Sequence, residues 1–386
     1  MTETDKLLIE LIQVTIGRRG SLNRVPSSAE WNALYCLSLK QAVAGVCFSG
    51  VQQLPKEQLL EMRVQLKLQW FALAERVKQR NVVMNQRCAE LCRMLEKEGM
   101  RCAILKGQGV STLYCNSDSK GDGRNLGLYR QSGDIDVWVD GGMEKVRSWC
   151  REKFGDVEYD YNHAHVPVFK DVEVELHWRV QSMTNLVRNR RLQRWLALEE
   201  TNEMIVGGKA DLILESLNPE ISITVPSLEF NVFYLMLHCY NHEFSSGLGI
   251  RQLMDYYFLL MNFHGTSRDS ITNINRMFRE YGMERFVRAV MWIMQEVLGL
   301  ERECLLCEPN EKEGRSILAE VMAGGNFGHH DERIRKVGRG KWVEVFAKIQ
   351  HAMHLLRRYP SEALWMPVWM VYHYVWKKRI NKIRLC

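Results

Sequence analysis

The chain has 386 residues, 46% of them hydrophobic, 25% charged and 10% aromatic, with only 8 prolines. Those proportions exclude a collagen-like, low-complexity or largely disordered chain, and the length allows two or three domains with cores of their own. The formal net charge is +6, and no apolar run approaches the roughly 20 residues that span a bilayer.

Taken from the start, Met1-Thr2-Glu3-Thr4-Asp5 is acidic and does not open like a secretory signal, so the expected location is cytoplasmic. Residues 1–85 read as a helical region. Leu7, Leu8, Leu11 and Ile12 recur at helical spacing, and Pro26-Ser27-Ser28 followed by Glu30 marks a helix start. From Pro55 to Cys92 breakers are few, which predicts one or two long helices. The period changes at Gly99.

Residues 86–205 read as a small α/β unit. Cys102 to Leu105 is a short apolar run, a buried strand closed by Lys106-Gly107, with a helix following through Tyr114. Asn116 to Gly127 is rich in Ser, Asp, Gly and Asn and reads as a loop. Asp134 to Val139 alternates as a strand, and a helix from Met143 to Phe154 ends at Gly155. Val166 to Phe169 and Val172 to Trp178 predict a hairpin turning at Lys170-Asp171. Residues 206–386 return to helices: Leu228 to His242, Ile250 to Phe263 and Arg285 to Leu298, then a loop at Gly324 to Gly328 and a closing stretch rich in Trp, Tyr and Met. The fold class is therefore α+β, a small mixed sheet between helical flanks.

The 11 cysteines are scattered and odd in number, unlike a disulfide framework. Cys304 and Cys307 have zinc-ligand spacing, and His329 with His330 would complete the set. No second pair of this spacing follows, however, and Leu305-Leu306 between the sulfurs read as core. Buried, reduced thiols are expected, at Cys88 and Cys92 as well.

The strongest chemical signal is Gly133-Asp134-Ile135-Asp136-Val137-Trp138-Val139. On a strand Asp134 and Asp136 share one face, with Ile135, Val137 and Val139 on the other. Adjacent carboxylates repel unless a cation lies between them, and oxygen-only ligation suits Mg²⁺ with substrate phosphates. Downstream, Glu173, Glu175 and His177 share a face opposite Val172, Val174, Leu176 and Trp178. Periodicity leaves Glu173 and Glu175 tied as the third carboxylate.

The order strand, glycine turn, helix, Asp-hydrophobic-Asp strand and later acidic strand resembles the DNA polymerase β-like nucleotidyltransferase superfamily. Leu105-Lys106-Gly107, Tyr114, Arg130, Gly133 to Asp136 and Glu175-Leu176-His177-Trp178 are similar to the motifs of its large, mostly uncharacterised bacterial branch, as are His238, His242 and Asp255 downstream. The likeness implies that 86–205 is the nucleotidyltransferase core. It also implies that Asp134, Asp136 and Glu175 hold two Mg²⁺ ions (Mn²⁺ being an alternative), because the acidic position lies two residues before the histidine. Lys106, Gly107, Gln108, Arg130 and Gly133 would meet the nucleotide, with Lys106 or Arg130 neutralising phosphate charge. The implied reaction moves an NMP group from an NTP to the hydroxyl of an unidentified small molecule, glycan precursor, peptide or RNA end, releasing pyrophosphate. The turn departs from the superfamily's usual pattern, with Gly107-Gln108 where a Gly-Ser or Gly-Gly is customary.

The remaining histidines have blander expectations. His163 and His165 precede the hairpin, where they would either face the site or serve as a structural loop pair. His177 supports the metal ligands by a hydrogen bond. His238 and His242 line the cleft or bond Arg251 and Asp255. From Arg333 to Cys386 there are 13 Lys and Arg against 2 Asp and Glu, which suggests an anionic partner, or a docked helix with a solvated basic end. A non-catalytic module that binds nucleotide or nucleic acid, and a metal-dependent phosphate-ester hydrolase, are the competing functions. Retention of three carboxylates argues against the former.

Overall fold

Capping residues set the helix starts. Thr2 and Asp5 satisfy each other's backbone N–H groups at α1 (Glu3–Thr15), and Ser27 and Glu30 do the same at α2 (Ser28–Lys40). The computed structural model describes residues 1–114, 125–212, 221–244, 247–326 and 356–382. Helix α3 (Ala44–Gln53) lies close against α1, because a Cβ at Gly50 would come within 2.3 Å of the Thr15 hydroxyl. The expected long helix is one element, α4 (Val64–Lys97). Its first half buries Leu66, Trp70 and Ala74 in the large helical core, and its second half buries Met84, Cys88, Leu91 and Leu95 under the sheet. The expected limit at residue 85 therefore falls inside a continuous helix shared by both cores.

The sheet has the order β1 (Cys102–Ile104), β2 (Ile135–Val139), β5 (Val174–His177), β4 (His163–Val166), β3 (Glu158–Tyr159). Only β2 and β5 run parallel; the other neighbours are antiparallel. One face carries Ile104, Ile135, Val137, Val174, Leu176, Ala164 and Val166 into a core closed by α4 and by α6 (Gly142–Phe154). The period-2 alternation of each strand leaves the polar residues on the other face.

The hairpin is displaced from its expected limits. β4 begins at His163 and ends at Val166, immediately before Pro167, which lacks the N–H a ladder needs. His163 and His165 therefore belong to a strand and not to a loop. Sequence patterning also passed over a second hairpin, β6 (Gly208–Leu212) with β7 (Ile221–Val225), whose Leu212 and Ile223 extend the sheet core. The expected limit at residue 205 coincides with the end of α8 (Glu199–Ile205), which follows α7 (Leu186–Leu196).

Beyond the hairpin, α9 (Leu228–Phe244) and α10 (Ile250–Phe263) pack against each other. α11 (Arg268–Glu280), α12 (Glu284–Trp292) and α13 (Glu311–Gly324) complete the helical half. α12 continues in a π-helical turn to Val297, so the predicted span to Leu298 is nearly continuous. The last described helix, α14 (Pro360–Lys382), docks on the sheet edge: Tyr161 meets Trp369 and Trp376 at centroid distances of 5.0 and 5.2 Å. Lys377 of the basic segment pairs with Glu158 at 3.2 Å. Residues 333–355, 383–386, His329, His330 and most of the expected polar loop lie outside the described residues.

Cys88, Cys92 and Cys304 are buried free thiols, as expected, and Cys307 is half-buried. Among the described residues no helix is long and apolar enough to cross a membrane.

Candidate active site

The site grows from the register of two parallel strands. Asp136 of β2 stands directly beside Glu175 of β5, and Val137 beside Leu176, so the carboxylates share the polar face while the apolar pair faces the core. Asp134 lies two residues before Asp136 on that same face. Glu173 is exposed and precedes β5, its carbonyl accepting from the Ile135 N–H at 2.9 Å. Packing thus separates two glutamates that periodicity leaves equivalent.

Leu105 donates its N–H to the Asp136 carbonyl at 2.9 Å, which brings the end of β1 alongside the acidic strand. The turn that follows places the Lys106 ammonium 2.8 Å from the Asp136 carboxylate. Gly107 has φ +55° and ψ −108°, a conformation that L side chains rarely adopt, so glycine is required for the reversal into the short α5 (Gln108–Ser111).

Asp136 is only 4% exposed and also accepts from His177, whose Nε2 lies 3.0 Å away and 3.3 Å from the far oxygen of Glu175. The ligand atoms of Asp136, Glu175 and His177 lie within 4.8 Å of one another. Burial opposes the charge on Asp136, but Lys106 and His177 outweigh it and hold the carboxylate ionised, well below its ordinary pKa. Burial likewise opposes a charged His177, and its bonds to Asp136 and Glu175 raise its pKa in spite of that. Glu175 is lowered: burial is offset by the bond from His177. Asp134 goes the other way, raised first by the neighbouring Asp136 and then by burial. Two carboxylates on one face, one of them reluctant to ionise, are what a divalent cation would relieve. Asp136 and Glu175 are the oxygen donors a hard ion would meet, with Asp134 coupled to them electrostatically but outside that group of converging ligand atoms.

The other expected nucleotide contacts divide. Arg130 does not face this cluster. It forms a bidentate pair with Asp255 of α10 at 2.6 and 2.7 Å, both side chains nearly buried, and the Tyr114 hydroxyl donates to the same Asp255 at 2.7 Å. A guanidinium with its fork filled is a joint between the sheet unit and the helices, not a free phosphate ligand. The Gln108 side chain is also buried and donates to the Asn85 Oδ1 of α4, which leaves only its backbone near the turn. Gly133 is exposed at the mouth of an open groove of about 880 Å³, whose lining includes Arg80, His165, Lys170 and Glu173.

His238 and His242 lie one above the other on α9, their Nε2 atoms 3.1 Å apart, and His238 Nδ1 contacts Gln181 at 3.4 Å. Burial, Lys106 and Arg251 keep His242 neutral, its pKa pushed down to about 3. The expected partner Asp255 is taken by Tyr114 and Arg130. Sequence reading left open whether His163 and His165 face the site and placed them on a loop rather than a strand. Their rings converge on Glu175, at 3.4 Å from His163 Nε2 and 3.7 Å from His165 Nδ1. The alternation His-Ala-His-Val was the available signal for a strand with both imidazoles on one face.

No curated protein matches the chain. Among solved structures, an antigenic nucleotidyltransferase-like protein from Paracoccidioides brasiliensis shares 12% identity over 52% of this chain and 90% of its own, with a TM-score of 0.28. That likeness is too distant to bear on the site. The family model described as "uncharacterised nucleotidyltransferase" matches residues 27–299, a span running from the N-terminal helices through the acidic strands to α12, and the chain belongs to that family.

Proposed function

We propose that the protein is a Mg²⁺-dependent nucleotidyltransferase on a polymerase β-like core, moving an NMP group from an NTP to an acceptor hydroxyl. The observation that carries this reading is the side-by-side register of Asp136 and Glu175, with Asp134 on the same face and Lys106 at 2.8 Å. When bound, Mg²⁺ at Asp134, Asp136 and Glu175 supplies positive charge to the triphosphate and lowers the pKa of the attacking hydroxyl.

The chain's own residues do the rest. His177 bonds both Asp136 and Glu175 and so orients the carboxylates. Lys106 is 23% exposed on a flexible stem, free to turn from Asp136 towards a phosphate oxygen. The Gly107 turn lets the backbone approach the phosphates closely. One carboxylate of the cluster takes the hydroxyl proton as the new O–P bond forms, and pyrophosphate leaves with the electron pair of the bond to the α-phosphorus. The open groove beside Gly133 and Arg80 is the acceptor's approach.

The test is pyrophosphate release and label transfer from each of the four NTPs, with Mg²⁺ and pools of small molecules, RNA and peptides as acceptors. Glu175→Gln is expected to lose transfer while keeping its melting temperature, and Glu173→Gln to keep most of its activity. Loss confined to Glu173→Gln would remove Glu175 from the machinery. Equal Mg²⁺-NTP binding by wild type and an Asp134→Ala/Asp136→Ala variant would sink the reading as a whole.

A further inference from the structure

One polar sheet face continues past the proposed Mg²⁺ ligands. On β4, His163 stands opposite His177 and His165 opposite Glu175, so three strands present Asp136, Glu175, His177, His163 and His165 to the same side. The Nε2 atoms of His163 and His165 are 3.3 Å apart. Glu175 Oε1 lies 3.4 Å from His163 Nε2 and 3.7 Å from His165 Nδ1. One ligand atom from each of these three residues can be chosen so that all lie within 4.8 Å of one another.

The 3.4 Å between His163 Nε2 and Glu175 Oε1 is that of neighbouring donors in a coordination sphere, and a ring nitrogen of His165 joins the ligand atoms of these two residues within 4.8 Å. Metal–ligand bonds of about 2.0–2.1 Å in a tetrahedron place neighbouring donor atoms about 3.3 Å apart. Two imidazoles and one carboxylate also differ in kind from the oxygen set at Asp134 and Asp136. Imidazole nitrogen is a good ligand for Zn²⁺, Mn²⁺, Fe²⁺ and Co²⁺ and a poor one for Mg²⁺. The His165 side chain is 46% exposed and borders the open groove, so three protein ligands would leave a position for water or an acceptor oxygen.

We propose that His163, His165 and Glu175 form a site for a divalent first-row transition metal, separate from the Mg²⁺ position and joined to it through the Glu175 carboxylate. Oε1 serves the histidine pair, and Oε2, on the His177 side, faces Asp136. The site stands on its own geometry; only its placement beside a Mg²⁺ ion rests on the proposed function. Of the three ligands His165 lines the groove, and with the acceptor of the proposed function in that groove the metal would polarise its hydroxyl.

The experiment uses the full chain, stripped with a chelator and titrated with Co²⁺ in the absence of nucleotide. Expected is one Co²⁺ per chain, with a visible absorption band and paramagnetically shifted imidazole N–H resonances. His163→Gln/His165→Gln should weaken Co²⁺ by about a hundredfold or more, while Asp134→Asn leaves it within a few-fold. Circular dichroism melts check that each variant folds, and the wild-type resonances report imidazole ligation without any variant. Co²⁺ bound without imidazole resonances, or with equal affinity by the histidine variant, overturns the proposal. So does equal loss in Asp134→Asn, which would place the ion at the acidic pair. Mg²⁺-NTP binding by the same Asp134→Asn variant is measured separately, so failure of the nucleotidyl-transfer reading is distinguishable from failure of this site.

Discussion

Two cations close to the acidic motif end in opposite situations. Lys106 reaches Asp136 with a single point charge at 2.8 Å and stays 23% exposed, on a carboxylate shared with His177. Arg130 spends its fork on both oxygens of Asp255, in a pair that also binds Tyr114 and is almost sealed from water. In the proposed reading the first pair can open toward a metal and a phosphate, because Lys106 is partly exposed and Asp136, though only 4% exposed, keeps its bond to His177. The second cannot, because opening it would strand a buried guanidinium. An ion pair next to an acidic motif is thus no sign of function until its exits are known.

The largest effect should come from the exchangeable pair. Asp136→Asn is expected to lower transfer by about a thousandfold or more, with a stability cost of up to about 3 kcal/mol, because a buried, paired carboxylate is lost while Lys106 can extend to water. Single-turnover rates beside denaturant melts check this. The committed pair should respond the other way. Asp255→Ala should cost about 3–5 kcal/mol of stability, the figure for breaking a buried pair, while folded protein at low temperature keeps Mg²⁺-NTP affinity within a few-fold. Native melting with lost nucleotide affinity in that variant would return Arg130 to the phosphate role its sequence position suggests.

The smallest effect concerns two reluctant carboxylates. Asp134 is raised by Asp136 beside it, in the acidic cluster. Glu243 of α9 is raised to about 8, by burial and then by Glu320, in the helical core. A folded-state pKa above the unfolded value of 4.5 means that the native state holds the proton longer. Glu243 therefore lowers stability progressively as pH rises from about 4.5 to 8, and its cost is constant above that. Glu243→Gln should match wild type near pH 5 and melt higher at pH 8, with the gap worth about 1–3 kcal/mol. A gap that is the same at both pH values would mean that Glu243 ionises normally in the core.

Much of this architecture was legible in residue patterns. The Ser27–Glu30 box, the α10 span Ile250–Phe263, the β1 turn at Lys106-Gly107 and the Asp134–Asp136 strand depend on local spacing, capping or backbone conformation, which a single segment carries within itself. The second hairpin was not legible, because its strands bury only Leu212, Ile223 and Thr224 and alternate weakly. The strand character of His163 and His165 depended on pairing with β5, a partner that local patterning placed a few residues away.

What the sequence by itself determined is the inventory: an α+β chain carrying a glycine turn, two carboxylates on one strand face and an acidic-histidine strand behind them. Only the tertiary structure decided which members meet. Side-chain alternation says that Glu173 and Glu175 share a face, but the parallel register sets Glu175 beside Asp136. Proximity in sequence says that Arg130 and Gln108 adjoin the motif, but α10 and α4 supply Asp255 and Asn85 to take them up. The reason is physical. Periodicity is a property of one backbone, whereas the partner of a buried charge or amide is set by whichever distant element packs over it, since burial without a partner costs more than the chain can spare.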